Sequence, residues 1–377
     1  MRTSRRGEVD PFIVMDVMES ARAAEAEGRD IIHMEVGQPG TPAPRLAREA
    51  AARAVAAGEP LGYTVALGLP ALREGIAGLY KRRHGLDLDP GRVIVTAGSS
   101  GAFVLAFLAC FEAGDVVALG DPGYPSYRNI FHALGVTVRR VETGPATGWQ
   151  PRAEDLGDAQ GLLVASPANP TGTMLSRERL SQIAAACEAR GAWLISDEIY
   201  HGLGYGAPAV SALEVADRAV VINSFSKYFS MTGWRVGWMV VPPEMVRTVE
   251  RLAQNVFICP PHISQVAALA ALDAEEELEA NRAVYAANRT LLLEALPKAG
   301  FRDFAPADGA FYLYADVSHL TDDSRAFCAR MLAEAGVAAT PGHDFDPVRG
   351  AAAIRFSFAG STEAMAEGAR RLARWLG

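Results

Sequence analysis

From Arg92 onward the chain repeats one pattern, a short run of apolar and β-branched residues followed by a stretch with helical spacing. The runs are RVIVTAG, DVVALGDPGY, VTVRRVET, GLLVASPANPTG, AWLISDEIY, AVVINSFSKYF and WRVGWMVVP, with SRERLSQIAAACEARG and PEMVRTVERLAQ among the helical stretches. In most of these runs, VTVRRVET excepted, the apolar positions are consecutive rather than alternating, as in strands buried on both faces. The pattern therefore predicts an α/β domain with a mostly parallel sheet covered by helices. Beyond it, helix is expected from His262 to about Ala299, then a strand in GAFYLYADV, a helix near 323–335, a strand in AAIRFSFAG and a closing helix. These read as a smaller α+β domain against which the segment before about residue 50 packs. The expected divisions are 1–50 for an N-terminal arm and part of the small domain, 51–285 for the large α/β domain, and 286–377 for the small one.

Composition narrows the function classes. The 377 residues, 50% of them hydrophobic, suffice for two cores. A formal charge of -8 and aromatic residues without basic stripes argue against a nucleic-acid partner. Cys110, Cys187, Cys259 and Cys328 are far apart and form no C-x-x-C, which suits free thiols in a reducing, cytoplasmic setting. The stretch AFVLAFLACF (102–111) is too short to cross a bilayer and reads as a core helix, so no membrane partner is expected. The opening MRTSRRG is basic but lacks an apolar h-region and reads as a loose arm. The seven histidines show no paired ligand spacing, so no metal is expected.

The candidate chemistry lies directly after the apolar runs, in TAGSSG (96–101), GDPGYP (120–125), SPANPTG (166–172), SDEIY (196–200) and NSFSK (223–227). In an open α/β sheet the carboxyl ends of the strands form one rim, and ligands bind there. Ser99 and Ser100 open a helix after Gly98, where backbone N–H groups and the helix dipole favour a phosphate-type anion. Ser224, Ser226 and Arg235 add hydroxyls and a guanidinium able to fork across two oxygens. A desolvated lysine near other cations, as Lys227 would be, loses its proton more readily and becomes a carbonyl nucleophile. A nucleophilic lysine, a carboxylate for a pyridine nitrogen and a phosphate cup together describe a site for pyridoxal phosphate.

The motifs SPANPTG, SDEIY, SFSKYFSMTGWRVG and IRFSFAG, in this order and at these separations, make the chain similar over nearly its whole length to class I aminotransferases. Those enzymes belong to the fold type I pyridoxal-phosphate superfamily. The resemblance implies that Lys227 forms the Schiff base with the cofactor and later moves a proton between the substrate Cα and the cofactor. It implies that Asp197 pairs with the pyridine nitrogen, that Tyr200 and Asn169 bond the 3′-oxygen, and that Tyr124 stacks on the ring. Ser99, Ser100, Ser224 and Arg235 match the phosphate set, with Ser226 supporting the turn. Tyr63 resembles a tyrosine that reaches the phosphate of a neighbouring subunit, which implies a homodimer with shared sites. Arg355 resembles the clamp for the substrate α-carboxylate, with Gly37 and Asn169 beside it.

The activity so implied is ping-pong transfer of an amino group between an L-amino acid and a 2-oxo acid. A C–S lyase, decarboxylase or racemase of the same superfamily would share the first steps. A serine hydrolase is disfavoured because VTAGSSGA lacks the G-x-S-x-G spacing. A DNA-binding fusion is disfavoured because too few residues precede position 12. GLGYG (202–206) does not match G-x-G-x-x-G and reads as a loop. Some bacterial aspartate-type relatives carry a lysine where Ser99 and Ser100 stand, and no second arginine for a side-chain carboxylate is obvious. Aromatic, aliphatic and broad-range donors stay open, with loops near 12–17 and 256–263 expected to line the side-chain pocket.

Overall fold

The apolar runs form strands at the expected places in the computed structural model, which describes residues 2–377; Met1, the first residue of the basic arm, lies outside them. A short β1 (Ile32–His33) is followed by β2 (Val93–Thr96), β3 (Val116–Asp121), β4 (Thr137–Glu142), β5 (Gly161–Ala165), β6 (Trp193–Asp197), β7 (Val220–Ser224) and β8 (Gly237–Val240). β2 to β8 make one sheet in the order β2-β8-β7-β6-β5-β3-β4. β4, β3, β5, β6 and β7 run parallel, while β8 is antiparallel to both β7 and β2. The consecutive apolar pattern has the predicted cause: every residue of β2 and β7 is buried, because both faces are covered. One face packs on the helices Gly98–Cys110 and Val246–Val256 through Phe103, Phe107 and Val249. The other packs on Pro70–His84 and Arg177–Arg190 through Leu72, Ile76, Leu180 and Ile183.

The second region contains β9 (Arg302–Phe304), β10 (Tyr312–Asp316), β11 (Val337–Ala338), β12 (Thr340–Pro341) and β13 (Ala353–Ser357). β12-β13-β10-β9 form an antiparallel sheet, and β1 pairs in parallel with β11, which ties the N-terminal segment to this region. On these packings we propose the same division as above, with residues 1–50 and 286–377 on one side and 51–285 on the other.

Three local expectations change. The helical region from 262 splits into His262–Ala271 and Glu275–Ala295, because Glu275, Glu276 and Glu277 favour the positive end of a new helix. The helix near 323–335 is α-helical over Ser324–Arg330 and closes in a π turn, Met331–Ala335, before left-handed Gly336. Residues 13–17, expected as loop, are the first turn of the helix Ile13–Ala26. Its leading N–H groups, Ile13 at 3.0 Å and Val14 at 3.3 Å, are capped by the carboxylate of Asp344.

Candidate active site

The carboxyl ends of β2, β3, β5, β6 and β7 deliver the five polar clusters to one rim. Because β8 runs antiparallel, its amino end lies on the same rim, and this brings Arg235 back to the start of the helix Gly98–Cys110. Gly98 has φ +71°, and a Cβ there would lie 2.5 Å from Arg235 Nη2, so glycine leaves room for the guanidinium at the helix N-terminus. A Cβ on Gly237 would lie 3.0 Å from Ser99 N, which shows how closely β8 abuts the same helix end. Ser99 is half-buried, Ser100 and Arg235 are exposed, and Arg235 Nη1 donates to the Thr232 carbonyl at 2.9 Å. Ser224 is buried; its Oγ accepts from Ser226 N–H at 3.1 Å and lies 2.8 Å from Ser226 Oγ.

Lys227 follows β7 in a tight turn, and its Nζ donates to the Gly37 carbonyl at 2.6 Å. Burial, reinforced by the positive charges of Arg355 and Arg235, lowers its pKa to about 8, against the pull of Asp197. A far larger share of this amine is unprotonated at neutral pH than of an ordinary lysine. Gly37 is packed against the hydroxyl of Tyr312, so no side chain fits there.

Asp197 ends β6 and is 4% exposed. Its Oδ1 accepts from Ile199 N–H at 3.0 Å and its Oδ2 from the Tyr127 phenol. Burial raises its pKa to about 6, while Tyr127, the Ile199 N–H and Lys227 hold it down. The carboxyl is thus mainly an anion at neutral pH. Tyr127 is the residue that sequence reasoning missed. The helix Pro125–Leu134 places it one turn after Tyr124, and the two rings meet edge to face at 5.2 Å. The available signal was the second aromatic of DPGYPSY. Tyr124 itself also meets Phe12 at 5.7 Å.

Arg355 lies on β13, is 2% exposed, and joins the two sheets. Its Nη1 donates to Asn169 Oδ1 at 2.9 Å, and its Nη2 donates to the Glu35 carbonyl and to Thr340 Oγ1 at 3.3 Å. Its Nε has no partner among the described residues. The guanidinium sits 4.3 Å from the Tyr312 ring centre and 4.7 Å from that of Phe345. Tyr312 shares a 2.7 Å hydrogen bond with Tyr200, whose ring centre is 6.0 Å from Lys227 Nζ. Lys227, Tyr200, Asn169, Arg355 and Gly37 are therefore linked through direct contacts or through Tyr312, and Asp197 lies near enough to act on the charge of Lys227. Tyr63 stands apart on this chain, 84% exposed.

This arrangement has relatives. A family model described as aminotransferase class I and II matches residues 29–372. A protein of Mycobacterium tuberculosis named valine–pyruvate aminotransferase is 50% identical, covering 100% of this chain and 98% of its own. A crystal structure of an aminotransferase from that organism has TM-score 0.97 at 50% identity, covering 100% of this chain and 99% of its own. The aspartate aminotransferase from Thermus thermophilus with maleate has TM-score 0.93 at 34% identity, covering 99% and 100%. The chain belongs to the aminotransferase class I and II family.

Proposed function

We propose that this aminotransferase works with pyridoxal phosphate held at Lys227, and that it moves an amino group between a small aliphatic L-amino acid and pyruvate. The observation that carries the cofactor assignment is Lys227 itself, an enclosed amine with a lowered pKa beside two guanidinium groups and a buried carboxylate. The groups around it fit: Ser99, Ser100, Ser224 and Arg235 would hold its phosphate, the Asp197 carboxylate would accept from its ring nitrogen, Asn169 and Tyr200 would donate to its phenolic oxygen, and Tyr124 would cover its ring face. When bound, pyridoxal phosphate supplies a reactive carbonyl and a ring that accepts electrons from the substrate Cα.

The protein's own groups do the rest. Lys227 acts as nucleophile and, once displaced, as the base and acid that moves the proton. Asp197, fixed by Tyr127 and the Ile199 N–H, holds a proton at the ring nitrogen. Arg355 binds the α-carboxylate in a fork and sets the direction of the Cα–H bond. The rings packed on the face of its guanidinium are those of Tyr312 and Phe345, and the 50% identical relative is named for valine and pyruvate; both favour an uncharged side chain.

Tyr63, at 84% exposed, and the exposed apolar residues Val65, Phe257 and Ile258 support a homodimer in which Tyr63 completes the partner's phosphate site. Phe257 borders Gly101 in the phosphate-side helix, and His262 Nδ1 lies 3.0 Å from the Gly62 carbonyl, so these segments adjoin the rim. The four unpaired cysteines support a reducing, cytoplasmic setting.

Supplied with L-valine and pyruvate, the holoenzyme is expected to form alanine and the oxo acid of valine with parallel-line kinetics, and to turn over L-aspartate more slowly. Release of ammonia or carbon dioxide without oxo-acid dependence would overturn the reading. Tyr127→Phe removes a donor to a buried anion, a bond of about 1.5–3 kcal/mol, and is expected to lower kcat by about 10- to 100-fold in a folded protein. Loss of that donor raises the Asp197 pKa, so the acidic limb of the pH–rate profile should move to higher pH. An unmoved limb would show that Tyr127 does not act through Asp197.

A further inference from the structure

Glu198 directly follows the last residue of β6, and its N–H still donates to the Ile222 carbonyl at 2.8 Å, so alternation turns it to the side opposite Asp197, into the protein, where it is 1% exposed. Three donors converge on its Oε1: Ala212 N–H at 2.7 Å, Ser211 Oγ at 3.1 Å and Ser196 Oγ at 3.2 Å. Its Oε2 has no hydrogen-bond partner among the described residues and lies 3.5 Å from Nδ1 of His201. His201 is 5% exposed, and neither ring nitrogen has a partner at hydrogen-bond distance among the described residues, although the Ser166 backbone lies near enough to favour a ring proton. Backbone joins the same two residues, since His201 N–H donates to the Glu198 carbonyl at 2.9 Å and closes the turn that carries Ile199 and Tyr200.

No cation neutralises Glu198 among the described residues. The charged and titratable groups facing the pair are Asp197 on its own strand and Tyr80, Arg83 and His84 from the helix Pro70–His84. Arg83 is stacked 4.1 Å from the Tyr228 ring, and His84 Nδ1 is engaged by Glu214 at 2.9 Å. A buried carboxylate without a cation and a buried imidazolium without an anion are both costly. One proton between Oε2 and Nδ1 satisfies two of the three unpartnered atoms after an approach of a few tenths of an ångström, with the other ring proton left on Nε2.

We propose that Glu198 is a positioning residue that carries a proton at neutral pH and donates it from Oε2 to Nδ1 of His201. This uncharged pair fixes the Asp197 to Tyr200 turn without setting a second anion beside Asp197. Burial acts in the same sense on both partners, pushing Glu198 up to about 8 and His201 down to about 3. The benefit to Asp197 rests on its role at the ring nitrogen. The shared proton does not, so the test reads it directly, with and without cofactor.

Glutamate side-chain carboxyls are labelled with 13C in the full-length protein and titrated across neutral pH. One carboxyl is expected to stay protonated at about pH 6.5, far above the ordinary glutamate value, to titrate near 8, and to vanish in Glu198→Gln. Ionisation of every glutamate at that pH, or a protonated signal that survives in Glu198→Gln, overturns the proposal. If that variant does not fold, His201→Gln is expected to shift the titration of the same signal, and an unshifted one overturns it.

Melting provides a second readout. The folded chain keeps a proton that the unfolded chain releases above about 4.5, so relative to Glu198→Gln the wild type should lose stability as pH rises from about 4.5 to about 8. A gap independent of pH also overturns the proposal.

Discussion

Lys227→Ala is expected to abolish amino transfer in a chain that still folds. The side chain makes one hydrogen bond, to the Gly37 carbonyl, and its lowered pKa marks an amine held at an electrostatic cost. Its removal relieves that cost, so the melting temperature should fall little or rise. The loss to catalysis has two parts, nucleophile and proton carrier. A positioned acid–base group alone contributes about 10²–10⁴-fold, so a drop in kcat of at least about 10⁴-fold is expected. In the wild type, the rate at which the amine captures an aldehyde should rise with pH and level off above about 8, because only the unprotonated amine attacks. Residual transfer within about tenfold of wild type would assign the chemistry to another group.

Arg355→Lys should show a different signature. Lysine keeps the charge but cannot fork across a carboxylate. The buried guanidinium also holds Asn169, Thr340 and the Glu35 carbonyl, so Lys is a milder test than Ala, which would leave these acceptors bare. Loss of a desolvated charge-assisted pair, of order 2–5 kcal/mol, predicts a fall in kcat/KM of about 30- to 5,000-fold. The fall should be alike for amino acid and oxo acid, since both present the same carboxylate. A loss confined to one substrate would mean that Arg355 reads a side chain instead.

The clustering of the candidate site residues was legible because strands buried on both faces cannot hide their ends. Each apolar run stops where polar residues begin, and the parallel arrangement collects those stops at one rim, so Asp197, Asn169 and Lys227 stand out in the chain itself. The return of Arg235 required β8 to run antiparallel, a detail that the short run WRVGWMVVP does not encode. Tyr127 escaped because its significance comes from a strand 70 residues away, and the pattern of its own helix reads simply as core. The same holds for Asp344, whose carboxylate starts a helix 331 residues earlier in the chain. It holds again for Glu198, whose partners Ser211 and Ala212 lie beyond a loop. Local pattern reports how a segment is buried, while pairings across the fold need the fold itself. The break at 272–274 was legible in hindsight, in three successive glutamates that open a helix.

The most direct test of the central claim is chemical. The protein, incubated with pyridoxal phosphate, is reduced with borohydride, digested and mapped by mass. A single phosphopyridoxyl adduct on the peptide bearing Lys227 is expected, absent from Lys227→Ala. An adduct on any other lysine, or none at all, contradicts the account.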